Sequence, residues 1–218
     1  MNANTDFVHR FLPGDRPDSP VLLLLHGTGG NEDDLVWLGQ SLLPGAAILS
    51  PRGKVLENRM PRFFRRLAEG VFDLPDLKFR TQELSAFLAS ARERYGLKDK
   101  PVVAVGYSNG ANIAASLLFT QPHDLAGAIL FRAMLPFHPK PLPDLKHVSL
   151  FLGAGERDTI VPKANISVLA QLFEAAGADV SLHWHSGGHE LGDDDLAAAR
   201  HWLQKAFLHG KTAGSMPN

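Results

Sequence analysis

The sequence predicts an α/β fold, a mostly parallel central sheet with helices on both faces. Three observations predict it. Continuous apolar runs, Val21–Leu25 and 101–105, read as strands buried on both faces, the pattern of a parallel sheet. Strand-like runs alternate with helical periodicities, so crossovers return helices to the sheet. Four glycine-rich or reactive loops (26–30, 106–110, 153–158 and 186–190) follow strand ends, where such sheets bind ligands.

Taken in order, residues 1–5 read as a flexible start and 6–12 as a short edge strand. Turn residues at 13–18 lead to the apolar strand Val21–Leu25 and the glycine loop 26–30. Asn31 reads as a helix cap, with Glu32, Asp33 and Asp34 in the first turn, where the helix dipole favours anions. Leu35, Leu38, Leu42 and Leu43 give this helix its apolar face, and Pro44-Gly45 ends it. Residues 46–50 form the next strand. From 51 to 77 no periodicity is visible, and loops of that length are often functional. A helix at 78–95 carries Leu84, Phe87, Leu88 and Ala91 on one face and ends at Gly96. Strand 101–105 and a helix to 119 follow, then a buried strand within 125–134. Prolines 139, 141 and 143 make 137–147 an extended excursion. Strand 148–152, helix 162–176, strand 179–186 and helix 193–208 complete the alternation, and 210–218 reads as a flexible tail. The expectation is one domain over 6–209, with no large cap insertion.

Composition limits the partners. The 218 residues are 44% hydrophobic and 21% charged, which is enough for one sizeable core. A formal net charge of −1 gives no reason to expect nucleic acid or an anionic membrane as partner. There is no cysteine, so disulfides, thiolate metal sites and a cysteine nucleophile are excluded. The first residues lack a basic segment followed by an apolar one, and no apolar run approaches a membrane span. A cytoplasmic protein is expected.

Chemistry enters at Gly106-Tyr107-Ser108-Asn109-Gly110. G-x-S-x-G arises by chance in about one chain in ten of this length, so its context carries the weight. Here an apolar strand precedes it and a helix follows, the strand–turn–helix setting of a nucleophile elbow. Glycines two residues either side let strand and helix pass closely. His189, in a Gly-Gly-His turn after the last strand, is the candidate base, because imidazole exchanges protons near neutral pH. Asp158, after strand 148–152, is the candidate orienting acid, with Glu156 the competitor two residues earlier. An oxyanion hole needs two backbone amides. Asn109, directly after the nucleophile, supplies one; the loop 26–30 supplies the other, at Thr28 with Gly29 as its neighbour. That loop lacks Gly-Lys-Ser/Thr and the G-x-G-x-x-G spacing, so it is no phosphate cradle, and no cofactor is expected.

These stretches carry a resemblance. His26-Gly27-Thr28-Gly29-Gly30-Asn31-Glu32, the elbow, Asp158-Thr159-Ile160-Val161-Pro162 and Gly187-Gly188-His189 resemble the carboxylesterase/phospholipase family of α/β-hydrolases, which includes acyl-protein thioesterases. The segment 52–80, with Phe131-Arg132-Ala133-Met134, is closer still to the bacterial MhqD-like hydrolases, linked to hydroquinone and quinone stress. The resemblance implies a triad of Ser108, Asp158 and His189, with the amides of Thr28 and Asn109 as oxyanion hole. It implies a serine carboxylesterase acting on a small-molecule ester of short to medium chain, and by analogy a homodimer. The alternatives are an acyl-thioesterase or lysophospholipase with the same triad, and a quinone-linked hydrolase or binding protein. Thioesterase members usually carry Gln after the nucleophile and Leu after His-Gly, where this chain has Asn109 and Thr28. Both contacts run through backbone amides, so the departures bear on chain length rather than on mechanism.

Around this chemistry, segment 52–80 holds eight basic residues against four acids. It reads as a wall or short lid, with Phe63 packing on substrate and Arg62 or Arg65 meeting an anionic group; the alternative is a surface loop whose charges pair internally. Met134, at a strand end, reads as a further wall. His183 and His185 share one face of a strand near His189 and Glu190, but no further ligand cluster and no H-E-x-x-H accompanies them, so no metal site is expected.

Overall fold

A computed structural model describes residues 6–208. In chain order the elements are β1 (His9–Leu12), β2 (Val21–Leu25), α1 (Val36–Leu42), β3 (Ile48–Pro51), β4 (Val55–Glu57), β5 (Met60–Arg62), β6 (Arg66–Ala68), β7 (Val71–Phe72), α2 (Leu74–Arg94), β8 (Val102–Tyr107), α3 (Asn109–Thr120), β9 (Gly127–Phe131), β10 (Ser149–Gly155), α4 (Lys163–Ala175), β11 (Asp179–His185) and α5 (Asp193–Phe207). Seven strands form one sheet in the order β1-β3-β2-β8-β9-β10-β11. Only the edge strand β1 runs antiparallel, against β3; every other pairing in this sheet is parallel.

Alternation within the apolar strands divides the core. Val21, Leu23 and Leu25 of β2, with Val102 and Ala104 of β8, enter the cluster built with α2, α3 and α4. Leu22, Leu24, Val103 and Val105 point the other way, into a smaller cluster with α1 and α5. All five β2 residues are fully buried, so neither face of the strand reads as polar in the sequence. At about 1.5–3 kcal/mol per buried large aliphatic side chain, this strand alone anchors both layers.

Three expectations change. Helix α1 begins at Val36, not beside Asn31. Residues 31–34 instead form a tight turn, in which Asn31 Oδ1 accepts from the Asp33 amide at 2.8 Å and Asp34 Oδ2 accepts from the Asn31 amide at 3.2 Å. Asn and Asp side chains satisfy nearby amides in turns as readily as at caps. Helix α2 starts four residues before the expected Lys78, capped by Asp73, whose side chain accepts from the Asp76 amide. Pro75 falls in its first turn, where a missing N–H costs nothing. Segment 51–77, featureless by periodicity, holds two small hairpins, β4-β5 and β6-β7, before α2 begins. Strands of two or three residues are too short to show alternation. The expected flexible ends, 1–5 and 210–218, lie outside the described residues.

Candidate active site

The strand order brings the carboxyl ends of β2, β8, β10 and β11 to one rim. There Ser108 stands between β8 and α3 with φ +52° and ψ −113°, in the left-handed half of backbone space that a non-glycine residue enters only under constraint. Its amide donates to the Phe131 carbonyl at 2.9 Å. The flanking glycines make the turn possible: a Cβ at Gly106 would sit 2.6 Å from the Ala111 Cα, and one at Gly110 would overlap the Leu25 carbonyl.

His189 Nε2 lies 3.0 Å from Ser108 Oγ, and its Nδ1 lies 2.8 Å from Asp158 Oδ2. The Asp158 side chain is 2% exposed. Its other oxygen, Oδ1, accepts from the amides of Ile160 (2.8 Å) and Val161 (3.0 Å), which fix the carboxylate plane toward the imidazole. Glu156 is exposed and makes no such contact; only its amide is engaged, by the His185 carbonyl.

The glycine loop is braced from both sides. His26 is buried and spans two loops: its Nδ1 pairs with the Gly27 carbonyl at 2.7 Å, and its Nε2 accepts from the Gly53 amide at 2.9 Å. Burial pushes its pKa below the ordinary histidine value, so it stays neutral in this role. The Gly29 amide is committed to the Pro61 carbonyl at 2.9 Å. Of the two candidate residues in this loop, Thr28 lines the groove beside Ser108 and Gly29 does not. Asn109 contributes the first N–H of α3, which no helical carbonyl can reach. Its side-chain Oδ1 accepts from the Phe63 amide at 2.7 Å, tying the elbow to the hairpin segment.

A small groove of about 40 Å³ opens beside Ser108, lined among others by Thr28, Arg62, Arg66, Phe72, Asn109 and Met134. Larger surface grooves of about 500 and 560 Å³ lie elsewhere, at the amino ends of β8–β10 and beside the proline segment, away from Ser108. Met134 therefore borders the groove, its amide held by Asn112 Oδ1 at 2.7 Å.

Arg62 borders the groove but is 3% exposed and tied to three neighbours. It donates to Thr28 Oγ1 at 2.7 Å and to the Phe64 carbonyl at 3.2 Å, and it pairs with Glu57 at 3.2 Å. It braces the glycine loop through Thr28. Phe63 is 2% exposed, packed on His26 at 4.7 Å, and does not line the groove. Arg65 points outward to Asp73 and Asp76 and does not line it either. A second guanidinium at this wall is that of Arg66, paired with Glu57 at 2.9 Å. Glu57 is held below its ordinary pKa by that hydrogen bond first, then by the charges of Arg62 and Arg66.

Sequence reasoning passed over a second ring of residues. Tyr107 Oη donates to the His189 carbonyl at 3.0 Å, and Arg132 and Asp195, both with fully buried side chains, pair at 2.6 Å beneath the same loop. A charge ending an apolar strand, as Arg132 ends 127–131, was the available signal. His183 and His185 instead meet Asp194, at 3.7 and 2.6 Å. Among the described residues, the cluster with metal-like spacing is His185, Asp194 and Asp195, and Asp195 is already claimed by Arg132.

Comparison with known proteins places the chain in a family. The phospholipase/carboxylesterase family model matches residues 9–207. MhqD of Bacillus subtilis (strain 168) is 49% identical over 188 residues, covering 86% of this chain and 94% of that protein. A Bacillus cereus carboxylesterase structure superposes with a TM-score of 0.91 at 49% identity, over 94% of this chain and 96% of that one. A Mesorhizobium loti carboxylesterase gives 0.84 at 32% identity, over 90% and 94%. The chain thus belongs to the phospholipase/carboxylesterase family of α/β-hydrolases.

Proposed function

We propose that this protein is a serine carboxylesterase that hydrolyses short- to medium-chain esters through an acyl-enzyme on Ser108. The observation that carries the reading is the continuous hydrogen-bonded chain from Ser108 Oγ through His189 to Asp158, set on a strained elbow. Asp158 accepts from Nδ1–H, which leaves Nε2 as the lone pair facing the serine hydroxyl. His189 removes the Ser108 proton as Oγ attacks the ester carbonyl. The amides of Thr28 and Asn109 hold the developing oxyanion. Collapse expels the alcohol, which takes its proton from the imidazolium. Water, deprotonated by His189, then releases the acid and regenerates Ser108.

The small volume of the groove favours a small acyl group over a long one. This weighs against the thioesterase and lysophospholipase alternatives. The same reading has the enzyme working in the cytoplasm, where a chain without cysteine is indifferent to a reducing environment. Ser108→Ala should abolish hydrolysis of p-nitrophenyl acetate while leaving the far-ultraviolet spectrum and melting temperature in place. Wild-type turnover in that variant would refute the assignment. Acetyl, octanoyl and palmitoyl esters compared on the wild-type protein should show kcat/KM falling along the series; a maximum at palmitoyl would favour the lipid-directed alternative.

A further inference from the structure

We infer that Arg132 and Asp195 act as a positioning pair for His189. The inference rests on the reading of His189 as the general base. Four successive carbonyls in the loop after β11 are each claimed from a different direction. Gly187 O accepts from the Arg157 amide at 2.9 Å. Gly188 O accepts from Arg132 Nε at 3.1 Å, His189 O from Tyr107 Oη at 3.0 Å, and Glu190 O from Arg132 Nη2 at 2.6 Å. One guanidinium therefore grips the carbonyl on either side of His189.

That guanidinium is itself held. Its Nη1 and Nη2 donate to the two oxygens of Asp195 at 3.0 and 2.6 Å, and both side chains are fully buried. Asp195 Oδ2 also accepts from the Gly192 amide at 3.0 Å, closing the loop where α5 begins. Arg132 adopts φ +56°, immediately beyond β9, with its amide on the Gly153 carbonyl. A non-glycine residue keeps that conformation only where its surroundings over-determine it. The planar five-donor fork explains why arginine stands here, since lysine could not span both carbonyls and the carboxylate together. Burying such a pair is at best neutral for stability when apolar residues could fill the same space. Its return lies in geometry: Nε2 of His189 must meet Ser108 Oγ, and two loop peptides flanking the imidazole fix that approach.

The test uses the purified full chain with p-nitrophenyl acetate. Arg132→Lys keeps a charge against Asp195 and the fold, but loses the fork. The double variant Arg132→Met with Asp195→Leu removes both charges, leaving neither one unpaired. Both should keep KM within about threefold and lose about 100-fold in kcat, the scale expected for a displacement of order 1 Å at the reacting atoms. Fluorophosphonate labelling of Ser108 should slow in parallel. The double variant should melt no lower than Arg132→Met alone and stay slow. A folded Arg132→Lys or double variant with wild-type kcat would show that the pair serves stability only and would overturn the inference. The underlying reading fails separately, if Ser108→Ala or His189→Ala keeps turnover.

Discussion

In the loop that carries His189, the carbonyls of residues 187–190 all accept hydrogen bonds, two of them from one buried guanidinium. The hairpins β4-β5 and β6-β7, which also border Ser108, are built otherwise. Leu56, Met60, Leu67 and Val71 stand open to solvent there, at 40–73% exposure, and the arginines of this wall pair mainly with neighbouring acids. The loop spends buried polar groups on one fixed geometry. The hairpins hold a few anchored points, Arg62 on Thr28 and the Phe63 amide on Asn109, and leave the rest of their surface free to vary. The difference separates the reacting groups from their surroundings: the bonds that align the serine, histidine and carboxylate are determined from several sides, whereas the outer face of the hairpins, which does not line the groove, is exposed and held at few points.

Substitutions can break that contrast or sharpen it. The largest effect is expected at Asp158→Asn. With the amide oxygen kept on the Ile160 and Val161 amides, the new NH2 faces Nδ1 as a donor and selects the wrong tautomer, so kcat should fall by about 10⁴-fold with KM little changed. Steady-state kinetics on p-nitrophenyl acetate checks this, and a fall of less than tenfold would mean that Asp158 does not orient the base. On the hairpin side, Leu56→Ser with Leu67→Ser should leave the melting temperature within the range of a ±0.5 kcal/mol change, because both side chains are already exposed. The same double variant should leave kcat and KM for p-nitrophenyl acetate unchanged, since neither side chain lines the groove beside Ser108. A fall of more than tenfold in kcat/KM would mean that the outer hairpin face takes part in the site.

The smallest effect concerns acid. Glu57 has a folded-state pKa below its usual 4.5, chiefly through its hydrogen bond to Arg66. A depressed carboxylate pKa stabilises the fold fully above the unfolded value and loses that contribution as pH falls through the folded one. The wall should therefore loosen below about pH 4.5, by less than about 1 kcal/mol for so exposed a pair. Chemical denaturation of wild type and Glu57→Gln across pH 3–6 should show curves that converge at the acid end.

The fold was legible because β2 and β8 carry uninterrupted apolar runs, and the elbow because Gly106 and Gly110 are demanded by backbone overlap that no other residue relieves. His189 and Asp158 could be named from their places after strand ends. The hairpins could not, since strands of two and three residues leave no period to read. Phe63 and Arg65 were assigned to the substrate wall on composition alone. Which side of the chain faces the groove depends on the hairpin's path, and that path buries Phe63 against His26 and turns Arg65 outward. Arg132 and Asp195 escaped notice for a related reason. Asp195 is one of three successive aspartates that satisfy a helix start equally well on paper, and only the packing of α5 against β10 selects the one that turns inward.

The central claim is that Ser108 is the nucleophile and that His189 activates it. Its most direct measurement is intact mass after treatment with a fluorophosphonate, followed by mapping of the modified peptide. The account predicts a single adduct on Ser108 in the wild-type protein, and none on the same timescale in His189→Ala. An adduct on another residue, or labelling of Ser108 at the wild-type rate without His189, would contradict it.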